Sequence, residues 1–138
     1  MATEPSVYVL DSFAVLAYLQ REKAGLRVRE LLAGAEAGAC SIHLSLINLG
    51  EVLYITEREH GFFSAHRVLA AIDQLPLKVV PVSRRTVLAA AHIKARYAMS
   101  YADAFAVVAA LDYNGVLATG DPEFRPLADE KLVRVEWL

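Results

Sequence analysis

Four of the sixteen acidic residues stand where a solvated surface acid would not. Asp11 directly follows the apolar run Val7-Tyr8-Val9-Leu10, and Asp121 follows Val116-Leu117-Ala118-Thr119 after Gly120. Glu51 shares a helical stripe with Ile47, Asn48, Tyr54 and Ile55, and Asp103 shares one with Ala106, Val107 and Ala110. An ionised carboxylate on an apolar stripe is costly unless it is paired or bound to a cation. Taken singly, each acid is better read as ordinary: Asp11 and Asp121 as helix caps or turn formers, Asp103 as a cap, Glu51 as the partner of an Arg. Taken together they point elsewhere, because converging carboxylates repel one another and a divalent cation is the simplest neutraliser. An all-oxygen donor set suits Mg²⁺ or Mn²⁺ better than zinc. His43, His60, His66 and His92 show no ligand spacing and read as surface or satisfied core residues.

Positioning such acids requires elements that converge. Short Val-, Leu- and Ile-rich runs recur at Val7–Leu10, Cys40–Leu44, Val79–Val82, Val116–Thr119 and Val133–Val135, with longer Ala- and Leu-rich stretches of helical spacing between them. The spacing predicts helices over Phe13–Gln20, Leu26–Glu36, Leu46–His60, Ala65–Leu75, Arg84–Tyr97 and Tyr101–Tyr113. Ser45, Ser64 and Ser83 are the expected N-caps, and Gly34, Gly38, Gly61 and Asn114-Gly115 the expected stops. Alternation of this kind predicts an α/β fold, with a mainly parallel central sheet of about five strands flanked by helices on both faces. Asp11 and Asp121 then lie at the carboxyl ends of parallel strands, the edge where open α/β sheets form their ligand crevice.

At 138 residues the chain is expected to be a single domain, 1–138, with its core over about 7–135. Hydrophobic residues at 56% and charged residues at 22% exclude intrinsic disorder, and the apolar excess suggests a buried oligomer face. A formal charge of -2 excludes a global basic field, so a polyanionic partner must be met by local basic patches or by metal. A single cysteine, Cys40, excludes an intrachain disulfide, a zinc finger and a CxxC pair. No basic leader region is apparent, and the apolar stretch Val7–Leu19 is interrupted by Asp11 and too short to span a bilayer. A cytoplasmic protein with no membrane partner is the expectation.

With these motifs in place, the chain resembles the PIN domain, and in size and layout the VapC-type toxins of toxin–antitoxin pairs. The resemblance runs from about Val7 to Val135 and rests on Tyr8-Val9-Leu10-Asp11-Ser12, Asn48-Leu49-Gly50-Glu51-Val52, Tyr101-Ala102-Asp103-Ala104 and Thr119-Gly120-Asp121-Pro122-Glu123-Phe124. It implies Mg²⁺-dependent cleavage of RNA, with Asp11, Glu51, Asp103 and Asp121 as the catalytic, metal-binding acids and Mn²⁺ as a substitute ion. Ser12 and Thr119 match small hydroxyl residues near the metal centre and take supporting roles. Glu123 stands where many members carry a further acid, and it reads equally well as a solvated loop residue. The resemblance further implies a homodimer and a cognate antitoxin seated in an apolar groove among the early helices.

Residues contacting RNA are not determined by the pattern. Arg84, Arg85, Lys94, Arg96 and Arg125 are candidates, with Tyr97 or Phe124 for base stacking, although the first four read better as a solvated helix face. A phosphoacceptor receiver domain is excluded, since Val79–Val82 runs into Ser83-Arg84-Arg85 with no acid. A haloacid-dehalogenase phosphatase is excluded because Phe13, not Asp, stands two residues after Asp11. The remaining alternative is a PIN-like module that binds RNA or protein without nuclease turnover.

Overall fold

A computed structural model describes residues 6–138. The expected absence of a basic leader concerns in part residues 1–5, outside the described residues. Five parallel strands, β1 (Ser6–Leu10), β2 (Cys40–Ser45), β3 (Lys78–Val80), β4 (Val116–Thr119) and β5 (Arg134–Trp137), form one sheet in the order β3-β2-β1-β4-β5. Helices α1 (Ser12–Leu19) and α2 (Gly25–Glu36) link β1 to β2, and α3 (Leu46–His60) and α4 (Phe62–Asp73) link β2 to β3. Helices α5 (Arg84–Arg96) and α6 (Tyr101–Asp112) lead to β4, and a 3₁₀ turn (Pro122–Phe124) with α7 (Arg125–Asp129) leads to β5.

The two-residue period of the strands builds two cores. Val9 and Leu117 enter one with Phe105, Val107 and Phe124, while Leu10 and Ala118 enter the other with Val15, Val28, Val52 and Ile72. Strands buried on both faces read as continuous apolar runs, which is why they were visible in the sequence. The chain winds from β1 outward through β2 to β3, then returns to place β4 on the other side of β1. That reversal leaves a crevice at the carboxyl ends of β1 and β4, the topological switch point.

Ser45 and Ser83 cap α3 and α5 as expected, the latter in a capping box with Thr86. Ser64 does not cap: Gly61, at φ 92°, ends α3 and lets α4 restart at once from Phe62, so Ser64 lies inside α4. Gly34 does not stop α2, which runs to Glu36. The stop is Gly38, at φ 79°, where Ala39 N–H donates to Gly34 C=O and Gly38 N–H to Ala35 C=O in a Schellman closure. Strand β3 ends two residues before the expected Val82 because Pro81 has no N–H to pair. The five-residue α7 went unforeseen, since one turn of helix is too short to show periodicity.

Candidate functional site

Asp11 is the first residue beyond β1, and it is both cap and buried acid. One carboxylate oxygen, Oδ1, accepts from the Ala14 N–H at 2.9 Å and so caps α1, while Oδ2 accepts the hydroxyl proton of Thr119 at the end of β4. The Thr119 hydroxyl in turn accepts from the Asp121 N–H at 3.0 Å, fixing the loop that follows β4. Asp121 accepts from the Glu123 N–H at 2.9 Å and caps the 3₁₀ turn. Asp11 and Asp121 are therefore both caps, as the reading of each acid taken singly expects.

Asp103 arrives from the first turn of α6. Ser100, rather than Asp103, caps α6 by accepting from the Asp103 N–H at 3.1 Å, which leaves the Asp103 carboxylate in the buried first turn. The Ser100 N–H donates to Glu123 at 3.4 Å. Asp103, Asp121 and Glu123 each present a carboxylate oxygen within 4.8 Å of the others. Glu123 is thus an exposed residue that is also part of the group.

Charge is crowded here. Burial, opposed by the Thr119 and Ala14 hydrogen bonds and reinforced by the charge of Asp121, raises the Asp11 carboxyl to about 7. Burial, the Glu123 carboxylate and the charges of Asp121 and Asp11 raise Asp103 to about 8, against a weaker opposing bond from Ser100. Neither Asp11 nor Glu51 lies within the 4.8 Å group; Asp11 is tied to it through the charges of Asp121 and Asp103, whereas Glu51 is half-buried on α3 and accepts from the Tyr54 hydroxyl at 3.3 Å, with no Arg partner among the described residues.

Ser12 and Asn48 form the floor. The Asn48 amide nitrogen, fully buried on α3, donates to Ser12 Oγ and to the Ala102 carbonyl, both at 3.2 Å, so one side chain ties the starts of α1 and α6 next to Asp11 and Asp103. Ser12 Oγ donates back to the Asn48 carbonyl at 3.3 Å. Sequence reasoning placed Asn48 on the Glu51 stripe without assigning it this bridging position; a polar residue on an apolar stripe was the available signal. Of the RNA-contact candidates, Phe124 is fully buried in the core and cannot stack on a base, and Arg85 pairs with Asp112 at the far end of α6 from Asp103.

The family model of the PIN domain matches residues 8–130. The chain belongs to the PIN domain family. Solved structures share this PIN fold over nearly its whole length. VapBC2 of Rickettsia felis, bound to a DNA fragment from its promoter, superposes with a TM-score of 0.70 at 18% identity, covering 94% of this chain and 97% of that one. VapC20 of Mycobacterium tuberculosis, a toxin that cleaves the sarcin-ricin loop, gives 0.69 at 18% identity over 88% and 94%. DNA-bound VapBC of Salmonella typhimurium gives 0.68 at 19% identity over 95% and 97%. At such identities the likeness is one of fold. No curated protein matches the sequence.

Proposed function

We propose that this PIN domain is a divalent-metal-dependent ribonuclease, the toxin of a toxin–antitoxin pair, with all 138 residues working as one domain in the cytoplasm. The observation that carries the reading is the grouping of Asp103, Asp121 and Glu123 within 4.8 Å of one another, with the buried Asp11 carboxylate close enough to feel the charge of Asp121 and to add its own at Asp103. The donor set fits Mg²⁺ or Mn²⁺: only carboxylate oxygens stand in the group of three, and two of the four acids are driven towards protonation by burial and by each other. When bound, such an ion supplies the positive charge that an anionic phosphodiester needs among carboxylates and activates a water for in-line attack.

Asp11, Asp103 and Asp121 are the proposed ligands, with Glu123 closing the group and Glu51 acting from its rim. Thr119 holds the Asp11 carboxylate and the Asp121 backbone in one hydrogen-bonded chain. Ser12 and Asn48 hold the helix starts at fixed separation. The structural relatives include a toxin that cleaves an RNA loop and complexes of the VapBC kind, which supports RNA as substrate and an antitoxin as partner. A groove of about 590 Å³ lined by Tyr18, Leu19, Leu26, Arg29, Ala71 and Leu75 among the early helices is the proposed seat of that antitoxin, and the chain is proposed to act as a homodimer.

End-mapped cleavage of total RNA by the purified chain tests the reading. Discrete cuts are expected with Mg²⁺ and none with chelator, and Asp11→Asn and Asp103→Asn should abolish them while still folding. Cuts that persist unchanged in both folded variants would refute the four-acid site.

A further inference from the structure

The carboxylates account for a cation but not for the nucleotide, which must be gripped by something other than negative charge. One pair beside them has no part in the core or in the acid group. Trp137, the only tryptophan, lies on β5 opposite Thr119 in the parallel register. Residues paired in this way project from the same sheet face, so the indole leaves the sheet on the Thr119 side, from a backbone one strand spacing of about 4.8 Å away. The bond from Leu138 N–H to the Thr119 carbonyl, 3.0 Å, holds that register. Trp137 is nevertheless 38% exposed, a large apolar surface left to solvent next to a polar crevice.

Over this ring lies Arg125, its guanidinium carbon 4.8 Å from the centroid. Arg125 opens α7, four residues after Asp121 and two after Glu123. It forms no salt bridge among the described residues, whereas Arg27 is held by Glu136 and Glu30, and Arg85 by Asp112. A guanidinium stacked on a ring keeps its N–H donors for a phosphate, and an exposed indole face accepts any unpaired base. Base stacking of this kind needs a single strand, because duplex bases are already stacked.

We propose that Trp137 and Arg125 form a stacking subsite for one unpaired nucleotide of single-stranded RNA, directly beside the carboxylate group. The inference rests on the ribonuclease reading and names where its substrate is held. As the only indole, Trp137 reports on the subsite by its own fluorescence. A short single-stranded RNA of mixed sequence, mixed with the wild-type chain in Mg²⁺ by stopped flow, should quench that fluorescence saturably before turnover, and the same RNA annealed as a duplex should not. Trp137→Ala should raise KM by about tenfold with kcat little changed, Trp137→Phe should recover most of the loss, and Arg125→Ala should weaken the quench. Cleavage by the wild type without quench, or an unchanged KM in Trp137→Ala, overturns the subsite and leaves the ribonuclease reading standing. Equal quench by duplex overturns stacking as its basis. A saturable quench with no cleavage in the wild type sinks the ribonuclease reading while supporting the subsite.

Discussion

At the residue scale, the decisive side chains are acids that folding makes reluctant to ionise. Asp11 and Asp103 rise from 3.8 to about 7 and about 8, so the folded chain binds their protons more tightly than the unfolded chain does. Folding is then most favourable below the unfolded value near 3.8 and loses stability as pH rises through the folded values. Thermal melts in chelator should therefore show a lower Tm at pH 8 than at pH 5, and Asp103→Asn should flatten that slope. Mg²⁺ should raise Tm more at pH 8, where the carboxylates are charged. Thr119 works against burial at Asp11, since its hydroxyl bonds the ionised form. Thr119→Val should cost about 1–3 kcal/mol and move the acidic limb of the pH–cleavage profile upward, as measured by denaturant titration and by initial rates across pH.

At the element scale, the helical layer depends on how closely α1 and α2 approach. A Cβ at Gly25 would lie 2.4 Å from the Ala17 carbonyl oxygen, a clash with backbone that only moving a helix relieves. Gly25→Ala should destabilise by about 1–3 kcal/mol or more, the cost of overpacking. Gly50, exposed on α3 with nothing within 4 Å of its would-be Cβ, behaves oppositely. Gly50→Ala should stabilise by about 0.5–1 kcal/mol in urea unfolding, because it removes unfolded-state freedom and keeps the helix. The contrast shows why identical residues in two helical patterns differ: periodicity sees the helix, not its neighbour. It also separates what was legible, the capped helix starts at Ser45 and Ser83 and the stop at Gly61, from the immediate restart of α4 at Phe62, where the backbone of Gly61 rather than a Ser cap set the boundary.

At the scale of the whole molecule, apolar surface remains outside both cores. Leu26 is 59% exposed at the lip of the early-helix groove, so a charge there costs little in the isolated chain. Leu26→Arg should leave Tm and RNA cleavage nearly unchanged while weakening inhibition by the co-expressed antitoxin, read as cleavage restored in the complex. Inhibition retained at full strength would move the antitoxin to another face. The groove and the acid crevice are built from different parts of the chain, the first from α1, α2 and α4, the second from β1, β4, α6 and the 3₁₀ turn. The proposed partner seat and the proposed chemistry are thereby separable by mutation.

By itself the sequence determined the strands, most helix spans and the four acids, because period-two and period-3.6 patterns and strand-end positions are local properties written in consecutive residues. It also marked Asn114-Gly115 as a stop, and Asn114 takes φ 50° there. Only the tertiary structure decided which acids meet. Asp103 and Glu123 are joined because α6 packs its first turn against the loop after β4, while Glu51, equally suggestive in the sequence, turns to Tyr54. Tertiary structure alone also paired Trp137 with Thr119 and buried Phe124, since strand order and burial depend on contacts between residues far apart in the chain, which no local pattern encodes.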